Sequence, residues 1–339
     1  MINGHGDDLY RYPDVRINFS SNVYAHFSHQ GLLAHLAHTL PSITNYPEPS
    51  PLSLEKALAD ELHLEPQEVM VTAGATEAIY LVAQTFRGSH SAILQPTFAE
   101  YADACRIHDH RITPVYETGT LLSGGPLPQL MWICNPGNPT GAVLPRDLLF
   151  RSIQEHPDTL FVLDASYAPF TRERLILPTE AVALPNVLML HSMTKEFAIP
   201  GLRLGYVTGA PQLLLRVRLQ RMPWSVNQLA LSAGHYLLAH RGDYALPLSL
   251  LLSERERVAG QLSRLGVVDV WPSQSHILLC RLRIGRASDL KDYLATEHGI
   301  LIRDASNFPG LQEGAFRIAV QTPQENDVLL SAIQQWIAL

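Results

Sequence analysis

Ser192-Met193-Thr194-Lys195, followed by Gly201-Leu202-Arg203-Leu204-Gly205, decides how the rest of the sequence is interpreted. Two hydroxyls, an amine and a guanidinium group lie close together in this segment, directly after a predicted strand. The hydroxyls and the guanidinium could hold a phosphate while the amine bonds to a nearby carbonyl carbon. The chain has only three lysines, and Lys56 and Lys291 have the pattern of helix-surface residues. Lys195 is therefore the candidate amine nucleophile.

Short apolar stretches alternate with helical patterns on both sides of this segment. A helix is predicted over residues 77–86, and strands are predicted over residues 69–72, 91–94, 130–134, 160–163, 186–190 and 204–208. Buried strands separated by helices are typical of a mostly parallel sheet that is covered on both faces. The sequence therefore predicts an α/β fold with a three-layer α/β/α large domain.

The pattern changes in the last third of the chain. One long helix is predicted over residues 243–265, with helices over 287–298 and from 324 onward and strands over 267–271, 276–282, 300–303 and 315–320. This order predicts a smaller α+β domain. We expect the large domain to span 26–261, and the small domain to combine 1–25 with 262–339.

Composition excludes several classes of function. The 339 residues are 46% hydrophobic and carry a net charge of −7 without a long basic run, so nucleic acid is not the expected partner. No apolar stretch approaches the roughly 20 residues of a membrane span, and residues 1–13 lack the pattern of a secretory signal. Cys105, Cys134 and Cys280 are scattered, which favours the reducing cytoplasm and offers no metal-binding spacing.

Polar residues follow two of the predicted strands. Asp164 ends the run over 160–163, and Tyr167 follows three residues later. A carboxylate at the end of a parallel strand faces the crevice in which α/β proteins bind ligands, although a loop cap explains Asp164 equally well. The loop Asn135-Pro136-Gly137-Asn138-Pro139-Thr140-Gly141 follows another strand, which favours a site loop over a simple turn.

A third polar segment lies at the start of a predicted helix. Gly74-Ala75-Thr76 stands between the strand over 69–72 and the helix over 77–86. Free backbone N–H groups at a helix N-terminus favour a phosphate there.

These motifs, in this order, resemble the class I/II aminotransferase superfamily, the fold-type I enzymes that use pyridoxal 5′-phosphate (PLP). The resemblance covers nearly the whole chain and rests on Gly74-Ala75-Thr76, Pro96-Thr97-Phe98, Asn138-Pro139-Thr140-Gly141, Asp164 with Tyr167, Ser192-x-x-Lys195, Arg203 and Phe316-Arg317-Ile318. It implies an enzyme that uses PLP and no metal.

The resemblance also implies roles for single residues. Lys195 would bond covalently to PLP, and Asp164 would keep the pyridine nitrogen protonated. Asn138 and Tyr167 would hydrogen-bond the phenolic oxygen of the ring, and Phe98 would stack on it. The cofactor phosphate would be surrounded by Gly74, Ala75, Thr76, Ser192, Thr194 and Arg203.

Two further implications concern the partner subunit and the substrate. Tyr46 would reach the cofactor phosphate of the other subunit, which implies a homodimer. Arg317 would hold the α-carboxylate of the substrate by a bidentate pair.

Several segments are similar to one branch of this superfamily, the L-threonine-O-3-phosphate decarboxylases of cobalamin synthesis. They cover residues 5–6, 18–22, 197–206, 222–227, 300–303 and 307–311. Asp7 and Gln321 differ from the pattern of that branch. The segment over 72–79 is more similar to the histidinol-phosphate aminotransferases.

Both branches act on phosphorylated substrates, which makes Arg303, His5 and Asn22 candidates for binding a substrate phosphate. The expected substrate is therefore a small phosphorylated amino acid or amine. Decarboxylation is the favoured reaction and transamination the alternative, since the sequence does not give the orientation of the substrate at Cα. A catalytically idle PLP-binding protein is a third class, but it would be expected to have lost Lys195, Asp164 or Arg317, and all three are present.

Overall fold

The computed structural model describes residues 7–121 and 126–339. Helices and strands are numbered here in chain order. The helices are α1 Gln30–Thr39, α2 Leu52–Leu62, α3 Gly74–Thr85, α4 Glu100–Ile107, α5 Arg146–Glu155, α6 Pro178–Ala181, α7 Met193–Glu196, α8 Pro211–Arg218, α9 Gln228–Ala239, α10 Leu248–Arg264, α11 Ala287–His298 and α12 Pro323–Ile337. The strands are β1 Ile17–Asn18, β2 Val69–Thr72, β3 His90–Leu94, β4 Arg111–Val115, β5 Leu130–Cys134, β6 Leu160–Asp164, β7 Val187–Ser192, β8 Gly205–Gly209, β9 Val268–Val270, β10 Ile277–Leu282, β11 Ile300–Leu301, β12 Arg303–Asp304 and β13 Ala315–Ala319.

A seven-stranded sheet forms the centre of the described chain, with the strand order β2-β8-β7-β6-β5-β3-β4. Neighbouring strands from β7 to β4 pair in parallel, whereas β8 pairs antiparallel with both β7 and β2. The predicted mostly parallel sheet is therefore confirmed.

Alternate residues of the central strands pack into two different cores. Trp132 of β5 packs in the same cluster as Ile79 of α3, while Ile133 packs in another cluster with Leu149 of α5. Every residue of β5 and β6 is buried, as expected of a sheet with a helical layer on each face. The three-layer α/β/α prediction is therefore correct.

A second, antiparallel sheet is built from late residues in the order β12-β13-β10-β9. Beside it, β1 pairs in parallel with β11, so the segment before α1 joins the C-terminal part of the chain. These elements form the predicted α+β unit. The division into 26–261 and 1–25 with 262–339 stays a prediction, and α10 crosses its boundary.

Three predicted elements differ from the structure. The helix predicted over 77–86 runs from Gly74 to Thr85, so Gly74-Ala75-Thr76 forms its first turn. The helix predicted from residue 243 begins at Leu248, because Pro247 has no N–H to donate to a preceding turn and Arg241–Tyr244 forms a separate 3₁₀ turn. The strand predicted over 300–303 is two strands: β11 pairs with β1, whereas β12 pairs with β13. The chain therefore changes sheets between β11 and β12, at the buried Ile302.

Candidate functional site

A cavity of about 270 Å³ opens beside the ends of β5, β6 and β7, next to the start of α3. Segments distant in sequence meet there. Of the residues predicted to form a site, the cavity is lined by Asn22, Ala75, Thr76, Phe98, Asn138, Asp164, Tyr167, Ser192, Thr194, Lys195, Arg203, Arg303 and Arg317. Among the described residues, no group of three or more His, Cys, Asp or Glu side chains could hold a metal ion.

Two of the predicted site residues that the structure describes do not line this cavity. Gly74 packs against Arg203, which lines the cavity. Tyr46 is 85% exposed, and its ring lies tilted beside that of Trp224, with the ring centroids 5.4 Å apart. His5 lies outside the described residues.

Lys195 lies on α7, the short helix that follows β7. Its Nζ donates a hydrogen bond to the backbone oxygen of Ser21 at 2.8 Å. Desolvation lowers the pKa of the Lys195 amine to about 8, and the nearby Arg317 adds to this effect while Asp7 opposes it. The amine therefore loses its proton far more readily than a lysine in water.

Asp164 ends β6 and is buried. Its Oδ2 accepts a hydrogen bond from the Tyr101 hydroxyl at 2.6 Å, and its Oδ1 accepts one from the Ser166 backbone N–H at 2.9 Å. Burial and the adjacent carboxylate raise the pKa of Tyr101 well above its usual value, so the phenol keeps its proton and remains a donor. These two contacts fix the orientation of the carboxylate at the cavity wall.

Tyr101 was not predicted from the sequence. It stands on α4, three residues after Phe98, and the two rings meet edge to face with centroids 5.9 Å apart. The feature of the sequence that could have indicated Tyr101 is an aromatic pair separated by three residues at a helix start. Alone, that pattern does not distinguish a site residue from a core residue.

Arg317 is buried in the middle of β13. Its Nη1 donates to Asn138 Oδ1 at 2.6 Å, and its Nη2 donates to the Ser20 backbone oxygen. No described group accepts from Nε. Burial lowers the pKa of Arg317 to about 9, so the site would gain from an anion that compensates the guanidinium.

Arg303 lies directly opposite Arg317 on the neighbouring strand β12. Side chains of directly opposed residues leave the same face of a sheet, so the two arginines enter the same cavity. Arg303 is buried; its Nη2 donates to Asn307 Oδ1 at 2.9 Å, and its guanidinium carbon lies 5.4 Å from the centre of the Phe308 ring.

Tyr167 and Asn22 form a buried pair at the cavity wall. The Asn22 Nδ2 donates to the Tyr167 hydroxyl oxygen at 3.0 Å. Burial is the main reason that the pKa of Tyr167 is raised above its usual value. The Tyr167 hydroxyl therefore keeps its proton and can donate it toward the cavity.

A cradle for an anion lies at the start of α3. At Gly74, where φ is +84°, an added Cβ would lie 2.8 Å from Arg203 Nη2. At Gly205, an added Cβ would lie 2.8 Å from the backbone nitrogen of Ala75. These glycines let Arg203 and the first turn of α3 approach each other. The Thr194 Oγ1, which is buried without a described partner, faces the same cavity lining.

Of the two lysines predicted to lie on helix surfaces, Lys291 differs from the prediction. Lys56 is exposed on α2, as expected. Lys291 is buried and bonds the buried Asp8 at 2.6 Å, because α11 packs against the segment before β1. The helical pattern around Lys291 gave no sign of this distant carboxylate.

Gln321, which differs from the decarboxylase pattern, is buried beyond the end of β13. Its Nε2 donates to the Val23 backbone oxygen at 2.9 Å, and its Oε1 accepts from the Ala25 N–H at 3.2 Å. Gln321 therefore holds the segment that follows Asn22 and is not among the residues lining the cavity.

A model of the class I and II aminotransferase family matches residues 14–333. The chain belongs to the class I and II aminotransferase family. Members of this family are PLP-dependent enzymes, as the motifs indicated. Within the described residues, the helices of this aminotransferase-family chain are too short or too polar to cross a membrane.

Relatives of two kinds are similar to this aminotransferase-family chain. The threonine-phosphate decarboxylase of Salmonella typhimurium is 31% identical over 95% of this chain and 91% of its own length. The solved structure of L-threonine-O-3-phosphate decarboxylase from Porphyromonas gingivalis is 37% identical, covers 96% of this chain and 100% of its own, and superposes with a TM-score of 0.92. The histidinol-phosphate aminotransferase of Ruminiclostridium cellulolyticum is 26% identical over 86% of this chain and 84% of its own.

Proposed function

We propose that this enzyme binds PLP at Lys195 and decarboxylates L-threonine O-3-phosphate. The observation that carries the proposal is the pair of buried arginines, Arg303 and Arg317, directly opposite each other and facing the cavity that holds Lys195. Two guanidinium groups suit a substrate with two anionic ends. The 31% and 37% identities to threonine-phosphate decarboxylases support the same substrate.

The residues present fit PLP. The first turn of α3, the hydroxyls of Ser192 and Thr194, and Arg203 would hold the phosphate, and the unpartnered Thr194 Oγ1 offers it a hydrogen bond. Asp164, Asn138 and Tyr167 would hold the ring, with Phe98 against its face. When bound, PLP supplies an electron sink for the bond that breaks at the substrate Cα.

The chain's own residues would prepare this chemistry. Lys195, with its pKa lowered to about 8, supplies a neutral amine from about pH 8 upward. Asp164, held by Tyr101 and by the Ser166 N–H, would present a fixed negative charge to the pyridine nitrogen and would keep that nitrogen protonated. The Tyr167 hydroxyl would donate a hydrogen bond to the phenolic oxygen.

Orientation of the substrate decides between the two reactions. In the proposed arrangement, Arg317 holds the α-carboxylate and Arg303 holds the phosphate, while Asn22 and Asn307 line the same cavity. Two fixed anionic ends define the torsion at Cα and hence the bond that breaks. Transamination of the histidinol-phosphate type is the second candidate, since relatives of that kind match 86% of this chain.

Two incubations of the enzyme test the proposal. The purified enzyme, loaded with PLP, is supplied with L-threonine O-3-phosphate while CO₂ and keto acid are both measured. CO₂ release without keto acid is the expected result. Glutamate formed from histidinol phosphate and 2-oxoglutarate, with no CO₂ in the first assay, would instead establish transamination. Turnover in neither assay, with PLP bound, would identify a catalytically idle protein.

Arg303→Ala tests the substrate half of the proposal. Leaving a buried phosphate without its charge-assisted partner costs about 2 kcal/mol or more. We therefore expect kcat/KM for L-threonine O-3-phosphate to fall at least about thirtyfold, and kcat/KM for L-threonine to change little. Equal losses on both substrates would contradict the assignment of Arg303 to the phosphate.

We further propose that the enzyme is a cytoplasmic homodimer. Tyr46 is exposed beside the exposed Trp224, and Met222, two residues before Trp224, is exposed as well, so an apolar face is available for a second copy of the chain. Cys105, Cys134 and Cys280 are free, which suits a reducing compartment.

A further inference from the structure

Asp7 brings a carboxylate into the cavity from the segment that precedes β1. It lines the same cavity as Lys195, Arg303 and Arg317. Its backbone N–H donates to Ser20 Oγ at 3.1 Å, and its Oδ1 accepts from Asn18 Nδ2 at 2.5 Å. The φ angle of Asp7 is +63°, a left-handed conformation that most residues adopt only at a cost. The fold therefore places a charge where glycine would be the easier residue.

The neighbouring residue anchors this segment. The carboxylate of Asp8 bonds Lys291 of α11 at 2.6 Å, and both side chains are buried. A buried ion pair between two residues that are far apart in the sequence restricts the movement of the residue next to it. The position of Asp7 at the cavity is thus held on one side by Asp8 and on the other by Asn18.

The charged groups around the proposed substrate position come from several elements. The cavity is lined by the cations Lys195, Arg203, Arg303 and Arg317 and by the carboxylates Asp7 and Asp164. Asp164 is engaged by Tyr101 and Ser166, and Tyr101 and Tyr167 keep their protons. Outside the lining, Asp8 is paired with Lys291 and Asp304 accepts from the Ser306 N–H at 2.9 Å, and both carboxylates raise the pKa of Arg303.

The charge of Asp7 acts on the groups that would meet the substrate. Asp7 raises the pKa of both Lys195 and Arg317, which means that its carboxylate lies within electrostatic reach of each. An anion bound between Lys195 and the arginines therefore experiences repulsion from Asp7. This repulsion is proportional to the charge of the anion.

We propose that Asp7 is a specificity-determining residue that selects the singly charged form of the substrate's phosphate over the doubly charged form. The inference rests on the proposed function, since it requires a phosphorylated substrate. Arg303 and Arg317 attract both forms, but the second negative charge adds repulsion from Asp7. The second pKa of a phosphate ester is about 6, so the two forms exchange within the working pH range.

Binding of O-phosphoethanolamine to the PLP-loaded enzyme tests this inference. The probe has an amine and a phosphate but no carboxylate, so the result does not depend on CO₂ release. Calorimetric titrations at pH 5 and pH 8 compare the wild type with Asp7→Asn, which removes the charge while asparagine tolerates the left-handed backbone. Asp14→Asn is the matched control, because Asp14 is exposed on the same segment as Asp7 and does not line the cavity.

At pH 8 we expect Asp7→Asn to bind the probe about tenfold more tightly than the wild type, with a clearly smaller gain at pH 5. Asp14→Asn with this probe, and Asp7→Asn with the phosphate-free probe ethanolamine, should show no such gain. An equal gain at both pH values, a gain with ethanolamine, or a gain in Asp14→Asn would overturn the inference.

A second variant and a second assay distinguish failure of this inference from misfolding of the first variant and from failure of the proposed function. Asp7→Gly removes the same charge and relieves the backbone, so it replaces Asp7→Asn if the latter does not fold, with the same expected result. Absence of CO₂ from L-threonine O-3-phosphate in the wild type contradicts the proposed function. The dependence of probe binding on pH still confirms or refutes the role of Asp7.

Discussion

At the scale of single residues, the site depends on side chains whose protonation is set by burial. The pKa of Lys195 is lowered to about 8 because the amine is desolvated beside Arg317. Lowering the pKa of an amine favours the neutral, nucleophilic form at lower pH. In protein without cofactor, we therefore expect the rate of PLP attachment to rise with pH and to level off above about pH 8.

Stopped-flow absorbance measures this attachment across pH 6 to 10. Nα-acetyllysine, whose side-chain amine is free in water, is the control. Its rate of reaction with PLP should continue to rise toward about pH 10.5. In the protein, Asp7→Asn should move the midpoint of the pH dependence of PLP attachment to lower pH, since Asp7 raises the pKa of Lys195. A midpoint near that of free lysine would show that Lys195 is not desolvated.

Asp164 provides a second prediction at this scale. Asparagine in its place can still accept from Tyr101 but cannot keep a pyridine nitrogen protonated. We expect Asp164→Asn to retain PLP, seen by absorbance, and to lose on the order of a thousandfold or more in kcat. Tyr101→Phe is the matched variant, which leaves the charge and removes one hydrogen bond. Activity near the wild-type level in a folded Asp164→Asn would contradict the proposed role.

At the scale of elements, close packing of β8 against the start of α3 shapes the anion cradle. An added Cβ at Gly205 would lie 2.6 Å from the His191 backbone oxygen and 2.8 Å from the Ala75 nitrogen. Since backbone atoms on both sides cannot move independently, Gly205→Ala should displace the first turn of α3. We expect the dissociation constant for PLP to rise at least about tenfold.

A glycine in the turn that precedes β8 provides the control for that measurement. At Gly201, nothing lies within 4 Å of an added Cβ. Gly201→Ala should therefore bind PLP as the wild type does in an equilibrium titration. Equal affinities for all three proteins would show that the cradle tolerates movement of α3.

Sequence reasoning succeeded where a structural element depends on its own residues. The strand over 130–134 has the predicted bounds, because five apolar residues end at an Asn-Pro turn. It failed where the decisive contact is distant. Tyr101 and Asp164, like Lys291 and Asp8, meet only in the folded chain, and no local pattern encodes such a pair. The separation of β11 from β12 likewise depends on two different partner strands.

At the scale of the whole molecule, the proposed homodimer shares its sites between subunits. Tyr46 is 85% exposed and does not line the cavity of its own chain, so any role in PLP binding requires the partner subunit. Mixing inactive Lys195→Ala subunits with Tyr46→Ala subunits should restore a fraction of fully native sites. Recovered activity after mixing, compared with each variant mixed with itself, measures the effect.

Light scattering at the working concentration is the companion measurement. A dimer is the expected mass. A monomer with full activity, or a mixture that recovers nothing, would contradict shared sites and would leave Tyr46 as a surface residue.

The register of β12 and β13 also has a consequence for which substrates fit by length. Arg303 and Arg317 stand opposite each other because backbone hydrogen bonds hold their strands, so the spacing of the two anchors is a property of the main chain. The two strands thus fix the distance between the two anionic ends of a substrate that both arginines can hold. A shift in register would change that distance, but a shift by one residue would turn one arginine to the opposite face of the sheet.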